Sequence, residues 1–312
     1  MGKPKYENPN GIRNTHRIKD FFQWYRERKS KNKDLHTTIP IQTKPDYQLF
    51  HNMNVDSLTW IGHATFLLRM NGVTVLTDPV WANFMGTTKR GVPITIPIHS
   101  LPPVDFVVIS HGHYDHLNFQ TLKNLPGDPI FLVPKGLKSL FVTKRFLSDR
   151  VFELEWWEQW RSSQALSFTF VPAQHWVKRG LFDTNTSKWG GWIIEAEKQS
   201  VYFVGDSGYF DGFTEVGQEK PEIDYAIFPI GAYEPEWFME LDHMTPEQAV
   251  QGFQDVGAKH FVPMHYGTFR LADDTGPEAL ERFEQSWREQ GMSEDKKSIL
   301  PIGGTLQLES KT

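Results

Sequence analysis

One short segment restricts this chain more than any other feature. His111-Gly112-His113-Tyr114-Asp115-His116 follows an apolar β-type run after a single serine, Ser110, so a buried strand ends just before three histidines and an aspartate. Imidazole nitrogens and carboxylate oxygens are the natural ligands of Zn²⁺ and similar divalent ions. A turn there lets His111 and His113 face one point while Asp115 and His116 face another a few ångströms away. The spacing therefore predicts a metal site at the end of a strand.

The composition limits what kind of protein can carry such a site. The 312 residues are 39% hydrophobic and 14% aromatic, which is enough for a sizeable core. A net charge of −5 argues against a nucleic-acid partner, which would require a basic face. No apolar run approaches the roughly 20 residues that span a bilayer, so we expect a soluble, cytoplasmic protein. The chain has no cysteine, and any metal must therefore bind to His, Asp or Glu.

The remaining pattern predicts an α/β fold. From Ser57 onward, short β-type runs alternate with turns such as Asn71-Gly72 and with occasional helices. One helix should begin at the capping box Thr245-Pro-Glu-Gln and end at Gly257, and another should begin at Pro277. Many short strands with interspersed helices favour two packed sheets with helices outside. We expect a basic arm over residues 1–55, packing on or near the core, and a catalytic domain over residues 56–312.

Further candidate ligands follow later β-type runs. His175, Asp206 and His265 each stand just past such a run. Loops after strands gather at one edge of a sandwich, so these side chains should join the first cluster. Seven ligands are too many for one tetrahedral zinc, and the sequence therefore predicts two metal ions.

Several motifs together carry a resemblance to a known family. Over residues 55 to about 270 the chain resembles the metallo-β-lactamase-fold hydrolases, and among them the N-acylphosphatidylethanolamine-hydrolysing phospholipases D and their bacterial relatives. The segments that carry this likeness are Thr59–Thr65, Leu76–Pro79, Ser110–Leu117, Pro172–Trp176, Gly205–Tyr209, Pro229–Pro235, Trp237–Met239 and His265–Phe269.

The resemblance implies a fold, a ligand set and a reaction. The fold would be an αββα sandwich with the site at the shared edge of its sheets. A shared water would reach a pKa near ~7 between two zinc ions, and the bridging hydroxide would attack a phosphodiester. Asp115 would then be a catalytic candidate as well as a ligand. The implied ligands are His111, His113 and His175 for one ion, Asp115, His116 and His265 for the other, and Asp206 as the bridge.

Other polar residues near these motifs have different expected roles. Asp78, in a Thr-Asp-Pro turn, should support a ligand histidine by hydrogen bonding rather than bind metal itself. His63 and His260 lie in strand-like stretches, and we interpret both as structural. His243 stands directly before the helix capped by Thr245, where the helix N-terminus favours an anion. In the resembled family the equivalent histidine faces the substrate, so His243 is the second catalytic candidate.

The N-terminal arm has an amphipathic pattern. Ile18, Phe21, Phe22 and Tyr25 recur at helical spacing, and five basic residues surround them: Arg17, Lys19, Arg26, Arg28 and Lys29. Such a helix can lie on an anionic membrane surface as a peripheral contact. Alternatively, the aromatic stripe packs on the sandwich and leaves its cations in water, and we favour this second arrangement.

Three functions remain open at this point. The first is hydrolysis of a phosphodiester, with phospholipase-D-like action on N-acylphosphatidylethanolamine or a related lipid. The second is hydrolysis of a lactone or of a small phosphoester, because one fold hosts many reactions. The third, a non-catalytic metal-binding scaffold, is disfavoured because the full ligand set is present. The expected partner is a small-molecule or lipid phosphodiester, and no nucleic acid.

Overall fold

The computed structural model describes residues 5–13, 18–163 and 166–309, apart from the side chain of Ile18. Arg17 of the predicted basic arm lies outside this part of the chain. The strands are β1 Ser57–Gly62, β2 Thr65–Met70, β3 Val73–Thr77, β4 Phe84–Met85, β5 Thr88–Lys89, β6 Phe106–Val108, β7 Ile130–Pro134, β8 Val151–Leu154, β9 Gln159–Arg161, β10 Ser167–Pro172, β11 Gly190–Glu195, β12 Ser200–Phe203, β13 Tyr225–Pro229, β14 His260–Met264 and β15 Thr305–Gln307. The α-helices are α1 Ile18–Ser30, α2 Tyr47–His51, α3 Phe119–Leu122, α4 Lys138–Thr143, α5 Gly212–Glu219, α6 Glu236–Met239, α7 Pro246–Val256 and α8 Gly276–Glu289.

The strands form two large sheets. The first has the order β15-β1-β2-β3-β6-β7-β8, and the second has the order β14-β13-β12-β11-β10-β9. Strands β3, β6, β7 and β8 run parallel, as do β12, β13 and β14, whereas the other pairings within these two sheets are antiparallel. Parallel neighbours end at the same sheet edge, so the loops that follow them collect there.

Both faces of these sheets are buried, which explains their nearly continuous apolar sequences. Trp60 and Phe66 of the first sheet share one core with Phe170 and Trp192 of the second. The opposite face of the first sheet packs on α2, α3 and α4. On the outer side of the second sheet, the Phe261 ring contacts Phe253 of α7 and Phe283 and Trp287 of α8. The chain is therefore an αββα sandwich, which confirms the predicted fold class.

The local sequence signals identified most of these elements. The Thr245 side chain accepts a hydrogen bond from the Gln248 backbone N–H, the Gln248 side chain reaches back, and Gly257 ends α7 in the left-handed conformation, all as predicted. The short hairpin β4–β5 and the edge strand β9 were not anticipated, because two or three residues carry no readable alternation. Within the described part of the chain, no helix has the length and apolar character needed to cross a membrane.

Helix α1 docks through a different face from the one we favoured. The Trp24 ring stacks on Phe238 at 5.1 Å, and its indole N–H donates to Asp273 at 3.0 Å. Phe21 touches the edge of Phe238 but stays half exposed, while Phe22 and Tyr25 are 71% and 60% exposed. Packing of the whole aromatic stripe on the sandwich is therefore wrong.

The physical reason is a buried charge. The Asp273 side chain is fully buried, and a buried carboxylate requires cationic or donor partners. Lys31 Nζ lies 2.9 Å and Arg28 Nε 3.4 Å from its oxygens. Arg28 lies one turn after Trp24 on α1, and Lys31 directly follows the helix. The carboxylate therefore orients α1 so that part of its aromatic stripe faces solvent.

Candidate metal centre

The loop after β6 carries the first four candidate ligands. Its backbone turns at once, since the His116 and Leu117 N–H groups both donate to the His113 carbonyl. The Arg179 guanidinium holds the loop from outside by donating to the carbonyls of Gly112, His113 and Leu117 at 2.7, 3.1 and 3.0 Å. Sequence reasoning missed Arg179, because no local pattern links it to a loop more than 60 residues earlier.

Three imidazoles form the first half of the site. His111 Nε2 lies 2.8 Å from His113 Nδ1, and His175 Nε2, from the loop after β10, lies 3.2 Å from the same nitrogen. The tautomer of His175 follows from its other nitrogen, because Nδ1 donates to the Asp242 carbonyl at 2.9 Å. The three facing nitrogens are close enough to bind one ion.

The second half of the site combines carboxylate and imidazole. His265 Nε2, from the loop after β14, lies 3.2 Å from His116 Nε2. Asp115 Oδ2 lies 3.5 Å from the His116 nitrogen and 3.7 Å from the His265 nitrogen. Together with His63, these three residues form a second group in which each side chain offers one ligand atom.

Asp206 stands between the two halves. Its Oδ2 atom lies 3.0 Å from His116 Nε2 and 3.9 Å from both His111 Nε2 and His175 Nε2. Its Oδ1 atom lies 3.1 Å from His265 Nε2. One carboxylate thus reaches nitrogens of both groups, which is the geometry that a bridging ligand requires.

The electrostatics separate the two halves. Burial, together with neighbouring histidines, holds the pKa of His111 and His175 well below the usual value, and burial lowers the pKa of His113 to about 4. These three imidazoles are therefore neutral at pH 7, which is the form that binds metal. For His265 burial acts in the same direction, but Asp206 and Asp115 outweigh it and raise the pKa to about 9.

The charges of the two buried aspartates show whether divalent ions fit the site. Burial alone would raise the pKa values of Asp115 and Asp206, yet His116 and the other histidines hold both well below the ordinary range. Two buried carboxylates therefore require positive charge, which protons on His116 and His265 supply and which divalent cations would replace. The donor set of histidine nitrogens and aspartate oxygens suits Zn²⁺ and similar divalent ions. The residues therefore fit metal binding.

Asp78 makes the hydrogen bonds that we expected of it. Its carboxylate accepts from the Ser110 backbone N–H at 2.7 Å and from the Ser110 hydroxyl. The same carboxylate lies 2.7 Å from His116 Nδ1, which leaves His116 Nε2 facing the cluster. Asp78 thereby fixes the orientation of one candidate ligand.

His63 is a site residue that the sequence analysis placed wrongly. We interpreted it as structural within a strand, but β1 ends at Gly62 and His63 turns into the left-handed region with φ 56°. Its Nε2 atom lies 3.0 Å from Asp115 Oδ2, and its ring centroid lies 4.0 Å from that of His265. The preceding glycine was the only local signal that the strand stops there. His63 holds Asp115 in place.

Removing the His63 imidazole should weaken the second half of the site. In a His63→Ala variant Asp115 loses a buried hydrogen-bond partner, and such losses typically lower metal affinity by about 10–100-fold. Zinc content after dialysis against a graded chelator series measures the change. His260→Ala is the matched control, because His260 bonds Ser298 instead of a site residue. Equal zinc retention by both variants would show that His63 contributes nothing to the site.

His243 lies at the rim of the cluster. Its Nδ1 atom is 4.0 Å from Asp206 Oδ2, and its ring centroid lies 5.2 Å from that of His175. This nitrogen is buried and has no hydrogen-bond partner among the described residues. Burial lowers the pKa of His243 to about 4, so its imidazole is neutral.

The amino-acid sequence matches those of one known protein family. The profile of the beta-lactamase superfamily domain matches residues 73–266. An N-acyl-phosphatidylethanolamine-hydrolyzing phospholipase D of Caenorhabditis elegans is 37% identical over 78% of this chain and 72% of its own length. An uncharacterized protein of Mycobacterium tuberculosis is 39% identical over 72% of this chain and 62% of its own length.

A solved structure agrees with the observed fold. A metallo hydrolase from the archaeon Ignicoccus hospitalis superposes with a TM-score of 0.61 over 82% of this chain and all of its own, at 23% identity. At that identity the likeness concerns the fold alone.

Proposed function

Because this chain belongs to the metallo-β-lactamase superfamily, and within it to the family of N-acylphosphatidylethanolamine-hydrolysing phospholipases D, we propose that it hydrolyses a lipid-type phosphodiester with two zinc ions. Membership makes the chain a metal-dependent hydrolase. The observation that carries the two-metal proposal is the position of Asp206 between two groups of histidine nitrogens. The phosphodiester substrate rests on the activity named for the Caenorhabditis elegans relative.

The proposed ligands divide as the resemblance implied. His111, His113 and His175 would hold one ion, Asp115, His116 and His265 the other, and Asp206 would contact both. When bound, the two ions supply a hydroxide nucleophile at neutral pH and positive charge for the phosphoryl oxygens. The protein contributes the orientation of its ligands, through Asp78, His63 and Arg179.

His243 has a different proposed role, that of a residue facing the substrate. Its Nδ1 atom has no hydrogen-bond partner in the described part of the chain, and the capped N-terminus of α7 lies two residues further on. An imidazole N–H and a positive helix end both suit an anionic phosphate. His243, neutral at pH 7, would donate a hydrogen bond from its ring N–H to a phosphoryl oxygen.

Surface features near the site support a lipid substrate. A groove of about 410 Å³ is lined in part by Phe21 of α1, Trp176 and Lys178. The Trp176 ring lies 5.1 Å from the His113 ring, so one wall of the groove adjoins the metal centre. The exposed Phe22 and Tyr25 rings stand beside the cationic side chains of α1. Aromatic and basic residues together suit the surface of an anionic membrane.

A paired assay tests the reaction type. The zinc-loaded protein should hydrolyse bis(p-nitrophenyl) phosphate and release the headgroup from N-acylphosphatidylethanolamine in mixed micelles, whereas a simple lactone should turn over far more slowly. Asp206→Ala, assayed on every substrate, controls for contaminating activity. Turnover confined to the lactone would overturn the proposed phosphodiester chemistry.

A further inference from the structure

The segment 5–13 lies far from the metal ligands in sequence but against them in space. It precedes α1 and falls outside residues 73–266, which match the superfamily profile. The Tyr6 backbone N–H donates to the Asn185 carbonyl at 2.9 Å, which attaches the segment to the loop that follows His175. Two asparagines of the segment then reach toward the site.

Asn8 makes the decisive contact. Its side chain is buried, with 9% exposure for the residue, and it makes three hydrogen bonds. Oδ1 accepts from the His175 backbone N–H at 2.9 Å and from the Trp189 indole N–H at 2.8 Å, and Nδ2 donates to the Ile12 carbonyl at 2.8 Å. Because buried N–H groups must be paired, Asn8 determines where the His175 backbone lies.

The imidazole of His175 is fixed separately. Its Nδ1 atom donates to the Asp242 carbonyl, so Nε2 is the nitrogen that faces His113. The ligand is therefore held at both ends, by the ring contact with Asp242 and by the backbone contact with Asn8. Loss of either contact would let Nε2 leave its position.

The second asparagine extends the same network to the opposite rim. Asn10 Nδ2 donates to the Gln174 side-chain oxygen at 2.7 Å, and Gln174 Nε2 donates to the Leu241 carbonyl at 3.1 Å. Leu241 lies two residues before His243. The N-terminal segment thus contacts, directly or through one residue, both loops that border the first half of the site.

We propose that Asn8 is a positioning residue for the metal centre and that segment 5–13 is part of the working site. The inference deepens the proposed function and rests on it, because it takes His175 to be a metal ligand. Hydrogen-bonding partners of ligands typically change metal affinity by about 10–100-fold, and Asn8 should do so through the His175 backbone.

The test uses Zn²⁺ alone and the full-length protein. Wild type, Asn8→Ala, Trp189→Phe, Arg13→Ala and His175→Ala are dialysed against a graded series of buffered free Zn²⁺, and bound zinc is measured by elemental analysis. Asn8→Ala should weaken one of the two binding steps by about 10–100-fold and change the other far less. His175→Ala should lose that same step.

Two controls separate positioning from general support. Trp189→Phe removes the indole N–H that donates to Asn8 and to the Ala173 carbonyl, but it leaves the hydrogen bond from the His175 backbone to Asn8 in place, so zinc binding should match wild type. Arg13→Ala removes an exposed ion pair with Glu7 in the same segment and should also match wild type. The inference is wrong if Asn8→Ala binds both ions normally, or if Trp189→Phe weakens binding as much as Asn8→Ala does.

A measurement on the wild type keeps the inference testable even if Asn8→Ala does not fold. The His175 amide hydrogen of the zinc-free protein should exchange slowly, because Asn8 holds it; exchange at the rate of an exposed loop amide would overturn the inference. A different result would show that the proposed metal site itself is wrong. If His175 is not a metal ligand, His175→Ala keeps both zinc-binding steps, whatever the Asn8 variant does.

Discussion

An Asp206→Ala variant is expected to lose most of its bound zinc and more than 99% of its activity. The carboxylate lies within 4 Å of nitrogens from both groups, so its removal affects both ions at once. Loss of a partner that only orients a ligand typically costs about 10–100-fold, and loss of a shared ligand should exceed that range. Zinc per chain, measured by elemental analysis, and hydrolysis of bis(p-nitrophenyl) phosphate record the two effects.

Asp149→Ala provides the matched control, because Asp149 is an exposed aspartate far along the chain from every candidate ligand. It should retain wild-type zinc content and activity. An active wild-type enzyme with only one zinc per chain would contradict the two-metal site, and so would an Asp206→Ala variant that keeps both ions.

A His243→Ala variant is expected to keep its zinc and lose activity. The seven proposed ligands would complete both metal sites without it, so the imidazole would be redundant as a ligand. General acid–base or hydrogen-bonding help from one residue contributes about 10²–10⁴ in rate, so activity should fall at least tenfold, about 1.4 kcal/mol of barrier. The drop should appear in kcat when zinc is saturating.

Two other histidine variants serve as controls for His243→Ala. His265→Ala should lose zinc, because its Nε2 atom faces Asp206 and His116. His36→Ala, at an exposed position, should change neither zinc content nor rate. The assignment of His243 fails if its alanine variant loses an ion, or if it retains full activity on every substrate tested.

The clustering of the candidate ligands could be predicted from the sequence because each candidate follows a strand that the sequence marks clearly. Val107, Val108 and Ile109 are apolar and end abruptly at polar residues. Parallel strands place such ends at one edge, and the structure brings every predicted ligand together there. The capping box at Thr245 involves residues only three positions apart, so the start of α7 could also be predicted from the sequence.

Other parts of the site depend on contacts between distant segments. The hydrogen bond from the His175 backbone to Asn8 spans 167 positions, and the contacts of Arg179 with the ligand loop span more than 60. Asparagine and arginine are common surface residues, so neither carries a local signal that it is buried or paired. His63 was misplaced because only the folded backbone shows that its strand ends one residue earlier.

The sequence by itself determined the residue types of the candidate ligands, the strand ends that carry them and the helix beside His243. These properties depend on neighbouring residues, whose spacing fixes where strands and helices begin and end. Only the tertiary structure decided which residues hold those ligands in place and which face of α1 meets solvent. The buried carboxylate of Asp273 selects the Trp24 face of that helix, and a buried charge of this kind acquires its partners only when distant segments pack together.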